Sequence, residues 1–93
     1  AVPWFWSDQY DLTIQVAGLP DEAARVVARP LADGVDLNLH LAADGRLVAA
    51  SAFGPNGLIG REVRLAEMLI ARAARPDPDA LASPQVRLKS LLA

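Results

Sequence analysis

The glycines of segment 54–60, which reads GPNGLIG, are the first residues whose spacing could support chemistry. The segment lies between a predicted strand and a predicted helix, where a phosphate-binding loop would be found. A dinucleotide-binding loop needs closely spaced glycines, because its backbone must approach the pyrophosphate at a helix N-terminus. The spacing here differs, Pro55 removes one N–H donor, and no Walker lysine follows. We therefore interpret the segment as a turn with a helix cap and expect no nucleotide site.

The other candidates for catalysis or metal binding are one histidine and two pairs of carboxylates. His40 is the only histidine, and the polar face of its predicted strand supplies no second ligand or acid–base partner. Asp8 and Asp11, like Asp77 and Asp79, flank turns and helix starts, where aspartate caps backbone N–H groups. We therefore expect an exposed His40, capping aspartates, no catalytic residue and no metal site.

Four arginines could form a docking surface for a protein partner. At about 100° per residue, all four fall within a stripe roughly 80° wide, opposite the apolar side of a predicted helix. The stripe is a candidate surface for an acidic partner, and it is equally the expected solvated side of an amphipathic helix. Both interpretations stay open. The residues are Arg61, Arg64, Arg72 and Arg75.

The first ten residues contain four of the five aromatic side chains, namely Trp4, Phe5, Trp6 and Tyr10. We expect the two tryptophans to point to opposite sides of an extended segment, so that both cannot enter a small core. Tryptophan is frequent at interfaces because it offers a large apolar area with a polar edge. We therefore interpret residues 1–10 as an aromatic interface strap, in preference to a strap that packs on this domain's own sheet.

Composition restricts the remaining functions. The 93 residues suffice for one small domain, with 53% hydrophobic and 22% charged residues and a net charge of −2. This charge favours neither nucleic acid nor an anionic membrane, and no apolar run approaches the roughly 20 residues of a membrane helix. The absence of cysteine excludes disulfides and thiolate sites and fits a cytoplasmic protein. Ala1 is not an initiator methionine, so we expect the chain to be a piece of a longer polypeptide.

The pattern of apolar residues predicts an α+β fold. Strands are expected over 11–17, 24–29, 35–41 and 46–53, the second ending at Pro30. Asp44-Gly45 predicts a hairpin turn, and the strand that follows it is apolar on both sides, as a central strand would be. The period then changes to a helix over about 57–74, with Asn56 as N-cap, and Pro78 and Pro84 are expected to open short helical turns.

Several segments resemble the C-terminal domain of FAD-dependent ferredoxin reductases that serve oxygenase systems, a family that includes putidaredoxin, rubredoxin and biphenyl dioxygenase reductases. The opening VPWFWSDQY is the most specific of these segments, and the resemblance spans nearly the whole chain. One stretch departs from the pattern, since many relatives have an Asn-Arg-Pro-like sequence where residues 54–57 read GPNG. The segments that carry the resemblance are 2–10, 12–18, 44–50, 64–70 and 76–78.

The resemblance implies an antiparallel sheet of about five strands with one long helix and short C-terminal helical turns. It further implies two preceding domains that hold FAD and NAD(P)H, on which this domain packs. Hydride would pass from NAD(P)H to FAD and single electrons to an iron–sulfur ferredoxin, with all redox chemistry on the cofactors. The 93 residues alone would hold no cofactor and catalyse nothing. The residues implied near the flavin and the partner are Trp4, Phe5, Trp6 and Ser7, Trp6 foremost.

Two other interpretations remain open. The chain could be the dimerisation domain of a related pyridine-nucleotide oxidoreductase, which an exposed apolar sheet face would favour over ferredoxin docking. It could also be a stand-alone module that binds a protein through its aromatic opening. Two glycine-rich dinucleotide fingerprints upstream of Val2 would exclude the stand-alone module.

Overall fold

The computed structural model describes residues 2–9, 12–32 and 34–92, and within them the chain forms five strands, two α-helices and two 3₁₀ turns. The strands form one antiparallel sheet in the order β1-β2-β5-β4-β3, and the helices follow the last strand. This confirms the predicted α+β fold. The elements are β1 Trp4–Gln9, β2 Leu12–Gly18, β3 Arg25–Ala32, β4 Val35–Leu41, β5 Leu47–Pro55, α1 Asn56–Ala71 and α2 Pro78–Ala82, with 3₁₀ turns at Pro20–Glu22 and Leu88–Leu92.

The core lies between α1 and one face of the sheet. β5 is the central strand, and its first four residues are buried whichever way their side chains point, as the apolar run predicted. We call the opposite sheet face, which α1 does not cover, the open face. The core side chains contributed by β4 and α1 are Leu37, Leu39, Leu41, Ile59, Val63, Ala66 and Leu69.

The turn between β4 and β5 forms at Asp44 and Gly45, as predicted. Gly45 has a φ of 88°, which favours glycine, and its N–H donates to the Ala42 carbonyl at 2.9 Å. The Asp44 carboxylate accepts the Arg46 N–H at 3.0 Å and holds the turn closed. This bond, followed by one from Arg75, lowers the pKa of Asp44.

Two edge strands differ from the predicted elements. Most of the aromatic opening is part of the sheet, since Trp4–Gln9 forms strand β1 and pairs in register with β2, while its role as an interface strap stays a prediction. β3 does not end at Pro30 but continues to Ala32. Proline is tolerated there because β3 is an edge strand, and the register shifts between Pro30 and Ala32.

Helix α1 is shorter than predicted at its C-terminal end. It starts at Asn56, with Pro55 as N-cap, and it ends at Ala71. Ala73 adopts a left-handed φ of 53°, and the N–H of Ala74 donates back to the Leu69 carbonyl at 3.1 Å. This closure directs the chain back to the sheet, where the Ala74 carbonyl accepts the Leu47 N–H at 2.9 Å.

The C-terminal tail is attached to β3 by one buried arginine. The Arg29 side chain, only 3% exposed, donates to four carbonyls, those of Ala80, Leu81, Ser83 and Val86. Desolvation lowers the pKa of Arg29, and the charge of Glu62 opposes this shift. The tail buries Leu81 and Leu88 against the core.

The two predicted helical starts in the tail have different outcomes. Asp77 caps α2, as predicted, by accepting the Asp79 N–H at 3.2 Å. Pro84 instead lies in a turn, and the last helical segment is the 3₁₀ turn at Leu88–Leu92. In the described part of the chain, no helix is long and apolar enough to cross a membrane.

Candidate partner-docking site

The two tryptophans of β1 lie side by side on the α1 side of the sheet. Trp4 pairs with Ala17 and Trp6 with Gln15, both of which are buried under α1. The indole centroids are 6.3 Å apart, with the rings tilted by 53°. The expectation that they point to opposite sides was wrong, because residues i and i+2 of a strand share a face. At 43% and 53% exposure, both indoles remain open to solvent.

A cleft of about 820 Å³ separates these indoles from the first turns of α1. Its apolar surface comes from the indoles and its positive charge from two exposed arginines. The indole faces can contact an apolar or planar group of a ligand, and the guanidinium groups can bind a carboxylate beside it. The residues that line the cleft are Trp4, Trp6, Gln15, Gly60, Arg61, Arg64 and Glu67.

The four residues that the family resemblance implies near the flavin do not form one group. Phe5 pairs with Val16 and Ser7 with Ile14, so Phe5 and Ser7 lie on the open face. Only Trp4 and Trp6 line the cleft. The strand alternation alone causes this division, because successive side chains of β1 point to opposite faces.

The arginine stripe also divides. Arg61 and Arg64 line the cleft, whereas Arg72 caps the other end of α1 and donates to the Leu92 carbonyl. Arg75 lies beyond the helix, so the helical spacing from which it was assigned does not apply to it. Its guanidinium is 3.3 Å from the Asp44 carboxylate, in an exposed ion pair.

β2 is inverted relative to the usual pattern of an antiparallel sheet. Its polar residues Thr13 and Gln15 are 1% and 5% exposed on the core side. Its apolar residues Leu12 and Ile14 are exposed on the open face. Thr13 satisfies its hydroxyl by donating to the Ser7 carbonyl at 3.1 Å. The alternation showed that β2 has an apolar side, but not that this side faces away from the core.

His40 lies on the open face and is half-buried, not fully exposed as expected. Its Nε2 is 3.0 Å from the Ser51 hydroxyl, and burial lowers the pKa of the imidazole. Among the described residues, no three histidine, cysteine or acidic side chains cluster as metal ligands would. Tyr10, Asp11 and the side chain of Asp8 lie outside the described residues, so the proposed capping by Asp8 and Asp11 stays a prediction.

The glycine-containing segment 54–60 is not a separate turn. β5 continues to Pro55 and α1 starts at the next residue, Asn56, so the strand leads directly into the helix. Pro55 is the N-cap and makes no side-chain hydrogen bond to the helix. The described segment therefore offers no loop that could surround a phosphate.

The profile of the family described as Reductase C-terminal matches residues 4–92. The ferredoxin–NAD(+) reductase component of the anthranilate 1,2-dioxygenase system of Burkholderia cepacia is 44% identical over 92 residues, which are 98% of this chain and 22% of that protein.

Two solved structures share the fold. Fdr9 has a TM-score of 0.76 at 36% identity, over 94% of this chain and 21% of its own. The covalent putidaredoxin reductase–putidaredoxin complex has a TM-score of 0.83 at 27% identity, over 99% and 21%. The chain thus spans about a fifth of the length of these relatives. It belongs to the Reductase C-terminal family, the C-terminal domain of ferredoxin reductases.

Proposed function

We propose that this chain is the C-terminal domain of an FAD-dependent NAD(P)H:ferredoxin reductase and that its tryptophan–arginine cleft helps to dock the ferredoxin. The observation that carries the proposal is the cleft itself, in which Trp4 and Trp6 face Arg61 and Arg64. The name of the anthranilate dioxygenase component and the putidaredoxin complex support a reductase with an iron–sulfur protein partner.

The flavin and nicotinamide would be held by the preceding domains, because β5 leads into α1 without a phosphate-binding loop. When bound there, FAD would accept hydride and release single electrons. This domain would contribute a wall beside the flavin. Trp4 and Trp6 suit that wall, because exposed indoles can exclude water from a planar ring system. Phe5 and Ser7, on the open face, do not border the same space.

The arginines would orient the partner. Arg61 and Arg64 lie one turn apart on α1, beside the indoles, and both are exposed. Exposed cations of this kind accelerate the encounter with an acidic surface more than they tighten the final complex. Arg72 and Arg75 were predicted as further contacts, but each already bonds within this chain, so we assign them a secondary part.

Trp6→Ala in the full-length reductase tests the proposal. Losing one interface anchor commonly costs about 2 kcal/mol, which is roughly a thirtyfold loss in affinity. We expect kcat/KM for the ferredoxin to fall by about this factor, while the rate of NADH oxidation by a small chemical oxidant persists. Trp6→Phe should restore most of the efficiency. Leu19→Ala, a similarly exposed apolar site outside the cleft, should have little effect.

The proposal fails if Trp6→Ala leaves both rates unchanged and only lowers the stability of the protein. Trp6 would then be a packing residue of the sheet edge. An equal loss in both assays would place Trp6 in hydride transfer or flavin binding, away from the ferredoxin.

A second candidate function, a dimerisation domain, is favoured by one observation. The open face exposes the apolar side chains of Phe5, Ile14 and Phe53, and such a face can pair with a second copy. The molar mass of the full-length protein in solution, measured with and without mutation of this face, distinguishes this candidate from ferredoxin docking.

A further inference from the structure

The tryptophan–arginine cleft contains one charged side chain that the proposed function does not use. Glu67 lines the cleft together with Arg61 and Arg64, and it is half-buried, whereas the two arginines are exposed. A carboxylate in a cleft that binds an acidic partner needs an explanation, because like charges repel each other across an interface.

The charge of the cleft changes sign along α1. At 1.5 Å per residue, Glu67 lies about 9 Å further along the helix axis than Arg61, and Arg64 lies halfway between them. We call the part of the cleft beside the two arginines its basic end and the part beside Glu67 its acidic end. A partner that covers the whole cleft therefore meets two different electrostatic environments.

The two indoles belong to different ends of the cleft, because β1 runs antiparallel to α1. Pro3 lies with Ile70 in a smaller groove of about 430 Å³, which is near the C-terminal end of α1. From there the strand passes Trp4 and then Trp6 as it approaches the N-terminal turns of the helix. Trp4 is therefore the indole nearer to the acidic end, and Trp6 is nearer to the basic end.

Among the described residues, no side chain forms an ion pair or a hydrogen bond with the Glu67 carboxylate. Arg64 is only three residues away on the same helix, but the two charges do not approach within 4 Å of each other. A half-buried carboxylate loses still more water when a partner covers the cleft, and an unpaired desolvated charge is unfavourable. A basic side chain on the partner removes this penalty.

We propose that Glu67 determines the specificity of the cleft by selecting a ferredoxin whose docking surface carries a basic side chain beside its acidic group. This rests on the proposed function, since it requires the ferredoxin to dock in the cleft. The acidic group of the partner contacts the basic end, and the basic side chain contacts Glu67, which fixes the orientation of the partner along α1. A ferredoxin with carboxylates at both positions is rejected by repulsion at the acidic end.

Charge reversal at Glu67 in the full-length reductase tests the proposal, because the sign of the effect distinguishes two kinds of partner surface. The probe is the iron–sulfur ferredoxin that the wild-type reductase reduces fastest, with putidaredoxin among those tried. For a partner surface that is acidic throughout, Glu67→Lys raises kcat/KM. The proposal predicts the opposite, a loss of about tenfold at low ionic strength that shrinks in salt, and a loss of about threefold for Glu67→Gln.

Glu22→Lys is the matched control, because it makes the same change of charge at an exposed position in the 3₁₀ turn Pro20–Glu22, outside the cleft. It should leave kcat/KM for the ferredoxin within about twofold of the wild-type value. The rate of NADH oxidation by a small chemical oxidant should persist in every variant, which shows that the protein folds and holds its flavin. Glu67→Gln carries the test by itself if Glu67→Lys does not fold.

Substitutions in the ferredoxin identify the basic side chain. Each surface lysine or arginine of the ferredoxin is changed to glutamate, and one of these variants should react poorly with the wild-type reductase but recover at least about tenfold with Glu67→Lys. An unchanged or raised kcat/KM for Glu67→Lys, or the absence of any such recovery, would overturn the inference. If Arg64→Glu loses efficiency and the Glu67 variants do not, only this inference fails; if neither position matters, docking in the cleft fails as well.

Discussion

Replacing Arg29 by methionine tests whether one side chain attaches the C-terminal tail to the sheet. Methionine keeps much of the volume and the apolar stem but removes all donors. Four carbonyls lose the guanidinium, although those of Ala80 and Ser83 still accept a backbone N–H, and the bond to Leu81 is the fully buried one. An orphaned buried acceptor costs about 1–3 kcal/mol, whereas the other three carbonyls can reach water.

The expected net loss is about 3 kcal/mol. Two free-energy costs add up, that of losing hydrogen bonds from a charged donor and that of leaving the buried carbonyl unpaired. Because the variant no longer has to desolvate a guanidinium, part of these two costs is offset. For a domain of this size, whose stability is on the order of 5–14 kcal/mol, this is a substantial fraction. Arg25→Met is the matched control, because Arg25 lies on the same side of β3 but is exposed, and it should change stability by less than about 0.5 kcal/mol.

Urea unfolding of the purified domain, followed by far-ultraviolet circular dichroism, measures both variants. The midpoint for Arg29→Met should fall by roughly 2 M if the urea dependence is near 1.5 kcal/mol per molar. Hydrogen exchange should locate the effect, with the Leu81 and Val86 amides exchanging faster before those of the sheet. Equal midpoints for the two variants would refute the assignment of Arg29 as the attachment of the tail.

Three further substitutions test local features of the fold. Gly18→Ala should destabilise the domain by about 3 kcal/mol, because φ is 83° and a Cβ would lie 2.1 Å from the Val48 carbonyl oxygen; a loss below about 1 kcal/mol in urea unfolding would contradict this. Ala73→Gly should stabilise it by about 1 kcal/mol by relieving a left-handed φ of 53°, and a lowered melting temperature would contradict this. His40 has a lowered pKa in the folded state, so the unfolded chain takes up a proton more readily as pH falls below the ordinary value of 6.5. The free energy of unfolding should therefore decrease as pH falls through this range, and His40→Gln should weaken that dependence; an unchanged pH profile would contradict it.

Local sequence signals were sufficient to predict the central hairpin of the sheet, formed by β4 and β5. The alternation of β4, the Asp44-Gly45 turn and the continuous apolar run of β5 each depend on neighbouring residues only. They predicted the hairpin and the central place of β5, which the structure confirms. The apolar pattern that predicted helix α1 also depends on neighbouring residues only, but the residue at which α1 ends could not be predicted from them. A left-handed Ala73 stops the helix, and alanine carries no signal for that conformation.

The site depended on relations between strands that no local pattern encodes. Alternation gave β2 two sides but did not indicate which of them faces α1. Strand alternation alone puts Phe5 and Trp6 on opposite sides of β1, and this local rule was misapplied when the two tryptophans were expected to point apart. Which layer each side of β1 and β2 faces is decided by the pairing of the strands, and pairing is a tertiary property. The attachment of the tail by Arg29 joins residues more than 50 positions apart, and the sequence carried no signal for it.

Charge reversal at two arginines of the predicted stripe tests the central claim, that the cleft docks the ferredoxin. Arg64 lines the cleft, whereas Arg75 lies beyond the end of α1 beside Asp44, and both are exposed. The measurement is kcat/KM for the ferredoxin of full-length Arg64→Glu and Arg75→Glu, at low and high salt. Arg64→Glu should lose at least about tenfold at low ionic strength, with the difference shrinking in salt, while Arg75→Glu stays within about twofold. Equal losses for both variants, or no loss for Arg64→Glu, would contradict docking at the cleft.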